Sequence, residues 1–189
     1  MTREEQKLNT KLAISNSLKK LMKTKPFSKI TVGDIVKDCN LNRNTFYYHF
    51  TDTYDLLCWM FEEEAINVIK NYDMIVDYRD AILFVVNYIS QNEHILNCAL
   101  DSIGREELKR FLVKDFDEIT YTMISSAEEE LDSHLDEKYK KFITSFYTEA
   151  IAGMIIEWLK NKNDRDTSYL VDYISKTIKN SLWGILKAE

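Results

Sequence analysis

Among the polar side chains between residues 31 and 49, eight are candidates for recognition by hydrogen bonding: a guanidinium, two amides, two aliphatic hydroxyls, two phenols and an imidazole. Arginine pairs with guanine, asparagine with adenine, and threonine with a base or a thymine methyl group, whereas hydroxyl and imidazole groups suit phosphate oxygens. The chemistry that these groups can perform is therefore non-covalent recognition of DNA. Either of the two asparagines can be the one that reaches adenine. The candidate DNA-binding residues are Thr31, Asn42, Arg43, Asn44, Thr45, Tyr47, Tyr48 and His49.

The first of these residues, Thr31, is expected to begin a short helix. Its side-chain oxygen can cap the helix, and Asp34 stands three residues later, as in a capping box. The helix is expected to stop near Asp38 and Cys39. Asn40 comes next, and asparagine tolerates the left-handed backbone conformation that a tight turn needs. The sequence therefore predicts a short helix followed by a turn.

A second helix is predicted from Arg43 to about His49, with Asn42 as its cap. Phe46 and Phe50 are four residues apart, so they share the face that packs on the first helix. A turn of about three residues between two helices is the spacing of a helix-turn-helix whose second helix enters the major groove. The alternative is an ordinary helical hairpin with an aromatic core. Tyr47, Tyr48 and His49 favour the helix-turn-helix, because their side chains cannot all point inward together with the two phenylalanines.

The same stretch, TVGDIVKDCNLNRNTFYYHF followed by TDTYDLL, resembles the DNA-binding motif of the TetR family of bacterial transcription regulators. With the helix before it, the motif covers about a third of the chain. The resemblance implies a homodimer that binds a palindromic operator in double-stranded DNA. The residues that carry it are Thr31, Asp34, Ile35, Leu41, Thr45, Phe46, Tyr47, Tyr48, His49, Phe50, Leu56 and Leu57.

Three residues depart from the family pattern. Asn40 stands where the family usually has glycine, which the tolerance of asparagine for a left-handed conformation allows. Gly33 stands where many members offer DNA a longer side chain, and Thr53 stands where a lysine usually meets phosphate. The last two departures predict fewer backbone contacts and weaker DNA affinity.

The charge is unevenly distributed along the chain. The whole protein carries a net charge of −6. Residues 1–50 hold ten basic and four acidic residues, a net +6, so the remaining 139 residues carry −12. A basic head on an acidic body is typical of a DNA-binding domain joined to a second functional unit.

The composition predicts an all-α protein. The chain has 189 residues with only 4 glycines and 1 proline, and no sustained alternation of apolar and polar residues. We expect a three-helix helix-turn-helix head at residues 1–50 and a helical ligand-sensing and dimerisation body at residues 51–189. About nine helices are predicted, near residues 2–23, 32–38, 43–49, 53–71, 78–91, 92–100, 105–131, 136–161 and 167–187, with a polar turn at 163–166.

The last two predicted helices have more apolar surface than one neighbour can cover. Small residues interrupt the apolar stripe of the first of them and permit close helix approach. Two such helices from each subunit predict a four-helix bundle across a two-fold axis, although burial within one subunit is the alternative. The segment FYTEAIAGMIIEWLKNK also resembles the TetR subgroup that includes activators of dihydroxyacetone-kinase operons. The predicted dimer residues are Phe146, Ala150, Gly153, Met154, Trp158, Ile174, Ile178 and Leu182.

A sensing body needs a ligand site, and aromatic and polar residues of the middle helices are its candidates. The alternative for each of them is a plain core position, and the signal can equally be a protein co-regulator. Three well-separated cysteines predict reduced thiols, without a disulfide framework. The candidate pocket residues are Trp59, Phe84, Tyr88, Cys98, Phe111 and Tyr121.

Several classes of function are not supported by the sequence. We find no catalytic nucleophile with its base, no phosphate loop and no dinucleotide fingerprint, so we expect a protein that is not an enzyme and has no cofactor. No metal-ligand spacing, signal peptide or long apolar run is present, so we expect a cytoplasmic protein without a metal or a membrane. The function predicted is a homodimeric repressor released by an effector. The alternatives are an activator that works with a protein co-sensor, or a helical interaction protein without DNA binding.

Overall fold

The computed structural model describes residues 2–73, 77–160 and 167–188, and within these ranges the chain forms nine helices and no β-strand. The prediction of an all-α protein is confirmed. The predicted polar turn at 163–166 lies outside the described residues. The helices are α1 (Arg3–Met22), α2 (Val32–Asp38), α3 (Arg43–His49), α4 (53–69), α5 (Tyr78–Gln91), α6 (Glu93–Ile103), α7 (Arg105–Leu131), α8 (Glu137–Lys160) and α9 (Thr167–Leu186).

The chain divides into two compact units. The first comprises Met1–Glu64 and His94–Gly104, and the second comprises Ala65–Glu93 and Arg105–Glu189. The division between them falls inside α4, which consists of an α-helical part, Thr53–Phe61, a π-helical turn, Glu62–Ile66, and a final α-helical turn. The assignment of DNA binding to residues 1–50 and of sensing and dimerisation to 51–189 concerns function and stays a prediction.

Helices α1 to α4 build the core of the first unit. Ile14, Leu18, Ile35, Phe46 and Leu56 have no exposed surface. The buried hydroxyl of a serine on α1, Ser17, donates a hydrogen bond of 3.1 Å to the carbonyl oxygen of Ile35 in α2. Because this bond and the apolar core act together, α2 is held firmly against α1.

Helix α6 belongs to the first unit, although it lies far from the head in the sequence. His94 Nε2 is 3.0 Å from the carbonyl oxygen of Met22, and Cys98 Sγ is 3.8 Å from that of Lys25. The carbonyl can only accept, so Nε2 of His94 must carry the proton. These two contacts satisfy backbone groups near the C-terminus of α1, which sequence periodicity alone did not reveal.

Helices α7 and α8 form the longest packed pair of the second unit, and they run antiparallel. Glu128 of α7 forms an ion pair with Lys140 of α8, with 2.6 Å between Oε2 and Nζ, and its other oxygen accepts from the backbone N–H of Leu135. Burial on its own would raise the pKa of Glu128, but the hydrogen bonds from Lys140 and Leu135 outweigh it and the pKa is lowered. The pair fixes the turn between the two helices.

Candidate DNA-binding surface

The start of α2 has the predicted capping box. Thr31 Oγ1 accepts from the backbone N–H of Asp34 at 3.1 Å, and the backbone N–H of Thr31 donates to Asp34 Oδ2 at 2.8 Å. Lys25 Nζ lies 2.7 Å from the same carboxylate oxygen. The hydrogen bond from Lys25, followed by those from Thr31, holds the pKa of Asp34 well below its usual range. The side chain of Thr31 therefore stabilises the helix as well as lying at the surface.

The turn after α2 has the geometry predicted for it. Asn40 has a φ of 54°, in the left-handed region, and follows Cys39 at the C-cap. The backbone N–H of Leu41 donates to the carbonyl oxygen of Val36 at 2.8 Å. This is the six-to-one hydrogen bond of a Schellman motif. This motif ends α2 and directs the chain into α3.

Helix α3 is capped by Asn42, as predicted. Asn42 Oδ1 accepts from the backbone N–H of Thr45 at 2.8 Å and from its hydroxyl at 3.1 Å. Phe46 is completely buried and Phe50 is 3% exposed, so the aromatic face of α3 packs inward. The helix therefore has one fixed orientation relative to α1 and α2.

The opposite face of α3 is the part of the site that can contact a ligand. Tyr47 and Tyr48 are 57% and 64% exposed, and Arg43 and Asn44 are also exposed. The caps use the side-chain oxygens of Thr31 and Asn42 as acceptors, and the hydroxyl of Thr45, which is half-buried, donates to that of Asn42. The structure thus brings Asn42 to His49 together on one short helix, with Thr31 at the start of the neighbouring helix.

Gly33 has a structural role that its sequence position did not indicate. A Cβ atom at Gly33 would lie 3.0 Å from Nη2 of Arg43 and 3.9 Å from its Cζ. The guanidinium group therefore lies in the space that a side chain at position 33 would occupy. The absence of a side chain on α2 allows the arginine of α3 to lie against that helix.

Two lysines of α1 lie beside the C-terminal end of α3, and sequence reasoning missed them as site residues. Lys7 and Lys11 line a shallow cleft together with Tyr48, His49 and Trp59. Lys11 Nζ lies 4.3 Å from the ring centre of Trp59, a cation–π contact. Burial lowers the pKa of His49, and the charges of Lys11 and Lys7 lower it further. The four-residue spacing of the two lysines on α1 was the available sequence signal.

None of the six residues predicted for a ligand pocket lines the cavity described below, and that pocket stays a prediction. Trp59 and Cys98 belong to the first unit, and Phe111 is buried. Phe84 stacks on Tyr88 along α5 with 6.2 Å between ring centres. The sixth residue, Tyr121, is 40% exposed, with Lys140 Nζ 4.5 Å from its ring centre. Aromatic residue type alone did not identify the neighbours of each side chain.

A cavity of about 330 Å³ lies within the second unit, and other residues line it. Its walls are largely aliphatic and aromatic. Thr120 is 1% exposed, and neither its hydroxyl oxygen nor the indole nitrogen of Trp158 has a hydrogen-bond partner among the described residues. The lining includes Ala81, Val85, Val86, Phe116, Thr120, Met123, Ile155 and Trp158.

The eight predicted dimer residues divide into two groups. Phe146 and Met154 are 59% and 46% exposed, Ala150 is exposed, and Gly153 is half-buried. The other four pack within the subunit: Trp158, Ile174 and Ile178 line the cavity, and Leu182 is completely buried. Ile178 and Leu182 already belong to the core of the second unit, and the interface itself stays a prediction.

Among residues 2–73, 77–160 and 167–188, no group of three or more His, Cys, Asp or Glu side chains could hold a metal ion. In the same part of the chain, no helix combines the length and apolarity needed to cross a membrane.

Two family profiles match the chain. The profile described as "Bacterial regulatory proteins, tetR family" matches residues 16–58, and the one described as "Transcriptional regulator C-terminal region" matches residues 77–180, more than half of the chain. The first match includes α2, the turn and α3 in full. It therefore covers the stretch on which the sequence-based resemblance rested.

One relative and one solved structure each match most of the chain. The "HTH-type dhaKLM operon transcriptional activator DhaS" of Lactococcus lactis subsp. lactis is 22% identical over 160 residues, which cover 85% of this chain and 84% of that protein. A solved structure described as "Dihydroxyacetone kinase operon activator DhaS" superposes with a TM-score of 0.71 at 22% identity, over 95% of this chain and 97% of the other. The structural likeness supports the fold, and the profiles establish the family. The chain belongs to the TetR family of transcription regulators, which bind DNA and are not enzymes.

Proposed function

We propose that this regulator binds a palindromic operator as a homodimer, with α3 of each copy in successive major grooves. The observation that carries the proposal is the exposed polar face of α3, which is held by two helix caps and a buried aromatic face. Major grooves on one side of DNA recur about every 34–36 Å, so the dimer must present its two α3 helices at that separation or a multiple of it.

Within α3, hydrogen-bonding capacity supports a division of the proposed contacts. Asn42 Oδ1 already accepts two hydrogen bonds from Thr45, whereas a bidentate contact to adenine needs both the oxygen and the nitrogen of an amide. Asn44 is therefore the better candidate for adenine, and Arg43 for guanine. The exposed phenols of Tyr47 and Tyr48 suit phosphate oxygens. The sequence alone left the choice between the two asparagines open.

Lysines and His49 beside the end of α3 are proposed as further phosphate contacts. Lys7, Lys11 and His49 line the same cleft, and so do Glu4 and Glu63. A phosphate in the cleft would replace Glu4, which lies 3.5 Å from Lys7 Nζ, as the partner of that lysine. These groups would compensate for Thr53, which stands where the family usually has lysine.

The surface of α8 supports homodimerisation. The rings of Tyr139, Phe142 and Phe146 stack in series, with 6.3 Å and 6.5 Å between neighbouring ring centres. Phe142 is 63% exposed. A Cβ atom at Gly153 of α8 or Gly184 of α9 would meet no atom within 4 Å, which leaves room for a partner helix. Large exposed apolar patches mark interaction sites, and a second copy offers the same apolar surface.

The proposed mode of regulation is repression relieved by an effector. The cavity in the second unit supports this mode, because an effector can act only through a site whose affinity differs between the two functional states. Activation is a second candidate, since the relative from Lactococcus lactis is described as an operon activator. A protein co-regulator in place of a small molecule is compatible with either mode.

Selection of bound sequences from a random DNA library, with the purified protein at moderate salt, tests DNA recognition. The expected result is an enriched palindrome whose half-sites lie one or two helical turns apart. Arg43→Ala should relax the preference at one position and weaken binding by about 1–3 kcal/mol. If folded, dimeric protein enriches no sequence, the proposal fails in favour of an interaction protein or of a missing co-regulator. Repeating the selection with cell extract separates those two outcomes.

A further inference from the structure

We propose that Lys11 is a modification site, at which an acyl phosphate transfers its acyl group to the side-chain amine, and that this acylation weakens DNA binding. The reaction itself concerns the free protein. Its effect on DNA binding rests on the proposed function, in which Lys11 contacts a phosphate of the operator.

Lys11 differs from the other lysines of α1 in its surroundings. Its Nζ lies 4.3 Å from the ring centre of Trp59 and 5.3 Å from that of Phe50. Among the described residues it has no hydrogen bond or ion pair, whereas the other three lysines of α1 each form an ion pair with a carboxylate: Lys7, Lys19 and Lys20. An aromatic ring attracts a cation, but it offers the three ammonium N–H groups no strong acceptor.

These surroundings favour the form of Lys11 that can react. The unprotonated amine is the nucleophile that attacks an acyl carbon. Burial lowers the pKa of Lys11, and this effect outweighs the attraction of Glu63, Asp55 and Glu62, which raises it. At neutral pH, Lys11 is therefore a free amine for a larger fraction of the time than an ordinary exposed lysine.

The cleft beside Lys11 can hold the phosphate end of the donor. Lys7 and His49 line this cleft, and Lys7 is four residues from Lys11 on α1, so the two side chains share one face of the helix. Glu4 and Glu63 line it as well. The side chain of Glu4 is 83% exposed, so it can move away and leave Lys7 to a phosphate. A donor with its phosphate beside Lys7 then has its acyl carbon within reach of Lys11.

The reaction is an acyl transfer that needs no further reactant. The lone pair of Lys11 Nζ forms a bond to the carbonyl carbon, the bond between that carbon and the phosphate oxygen breaks, and a proton of the amine passes to the leaving phosphate. The products are an amide on Lys11 and inorganic phosphate. Because the amide is uncharged, Lys11 loses its attraction for a DNA phosphate.

Rates of acetylation at single lysines test the reaction. Purified full-length protein without DNA is incubated with acetyl phosphate at neutral pH, and acetylated peptides are quantified over time by mass spectrometry. Lys11 should react about three- to tenfold faster than Lys37, an exposed lysine of α2. The N-hydroxysuccinimide ester of acetic acid, a donor without a phosphate, is the comparison.

Lys7→Gln tests the phosphate position in the cleft. The variant should slow the reaction of Lys11 with acetyl phosphate by about two- to fivefold, which corresponds to the loss of one exposed charge pair. It should slow the reaction with the uncharged ester less. Circular dichroism and thermal unfolding establish that each variant is folded.

Band-shift titration with the selected operator tests the effect on DNA binding. Treatment with acetyl phosphate should weaken binding by the wild type about three- to tenfold and reduce the slope of log affinity against log salt by about one. Lys11→Arg keeps the charge but stays protonated and unreactive, so its affinity should survive the treatment. Untreated Lys11→Gln, which carries a neutral amide, should bind as weakly as the treated wild type.

Three results would overturn these expectations. Equal rates at Lys11 and Lys37, or an equal effect of Lys7→Gln on both donors, would exclude the reaction site. An equal loss of affinity by treated wild type and treated Lys11→Arg would exclude the effect on DNA binding. Because the mass spectrometry uses no DNA, failure of the DNA selection leaves the rates interpretable, and absence of acylation leaves the DNA selection unaffected.

Discussion

Gly33 has no side chain, and the guanidinium group of Arg43 lies in the space that this leaves free. With a Cβ atom at position 33 only 3.0 Å from Arg43 Nη2, the flexible guanidinium must move when alanine replaces glycine. We expect Gly33→Ala to change base preference at the position that Arg43 reads, because the arginine no longer lies against α2. Folding stability should stay the same or rise, since alanine has the higher helix propensity. Sequence selection and thermal unfolding measure the two effects.

A double-mutant cycle isolates this contact. If Gly33 acts by placing Arg43, Gly33→Ala should change nothing further once Arg43→Ala is present. A change of base preference that persists in the Arg43→Ala background would show that position 33 contacts DNA directly and would contradict the placement.

His49 makes the pH dependence of DNA binding testable. In the free protein, burial and the nearby lysine charges lower the pKa of His49 below its ordinary value of 6.5. A phosphate beside the ring would raise that pKa, so binding would take up a proton. Affinity should therefore increase as pH falls between the two pKa values, by up to about tenfold for each unit of difference. Band-shift titrations between about pH 8 and pH 6 measure the effect.

His49→Gln is the matched variant, because its amide N–H can donate to a phosphate oxygen but the amide cannot titrate. Loss of the pH-dependent gain in this variant is expected. The same pH dependence in both proteins would exclude His49 as the titrating phosphate contact.

Individual residues were predicted well where local chemistry decided their conformation. Thr31, Asn40 and Asn42 took their predicted capping and turn roles, because each depends on a few neighbouring backbone atoms. The sequence did not show that Trp59 lies against Lys11 or that Leu182 packs within the subunit, because an aromatic or apolar residue is compatible with any apolar neighbour. The sequence spacing shows which side of a helix is apolar, but not which element covers it.

At the scale of helices, the turn between α7 and α8 depends on a buried ion pair. Glu128 is 7% exposed and Lys140 is 9% exposed. Glu128→Gln leaves the Lys140 charge buried beside a neutral group and should lower the free energy of unfolding by about 3 kcal/mol. Urea denaturation at neutral pH measures the loss. The double variant Glu128→Met with Lys140→Met should recover part of it, since the two apolar groups need no partner.

The same pair contributes to acid stability. The pKa of Glu128 is lowered in the folded state, so its stabilising contribution is complete above the unfolded pKa of about 4.5 and is lost as pH falls through the lower folded value. Wild type and Glu128→Gln should therefore differ less in acid than at neutral pH. A stability difference that is independent of pH would show that packing, not the charge, accounts for the effect.

The helices themselves were predictable, but their membership in compact units was not. Caps specify α2 and α3 from a few consecutive residues each, and apolar spacing along the helix specifies α7. Helix α6 joins the first unit through His94 and Cys98, which bind carbonyl oxygens of residues 22 and 25. Contacts over such sequence distances leave no periodic signal. The π-helical turn within α4 likewise had no counterpart in the predicted pattern.

At the scale of the whole molecule, the charge distribution and the surface of α8 favour the same mode of binding. The head with its net +6 attracts phosphate, and the acidic remainder repels it, so DNA is directed to the head. A single head offers only one short helix to the groove. Pairing two heads doubles the number of base and phosphate contacts. Because the proposed pairing is through α8, affinity for a palindrome should depend on the stacked aromatic residues of that helix.

Phe146→Asp tests this dependence. Its ring is 59% exposed in the single subunit, so the fold should survive, but each dimer would bury two carboxylates where two apolar rings packed. Dimerisation should weaken by about a hundredfold or more, and palindrome affinity should fall with it. Sedimentation velocity and band-shift titration measure the two changes.

Leu83→Asp, with a 43% exposed side chain on α5, is the control and should leave both dimerisation and palindrome affinity unchanged. A Phe146→Asp protein that remains dimeric would place the two-fold contact elsewhere, whereas a monomer with full affinity would make pairing irrelevant to DNA recognition.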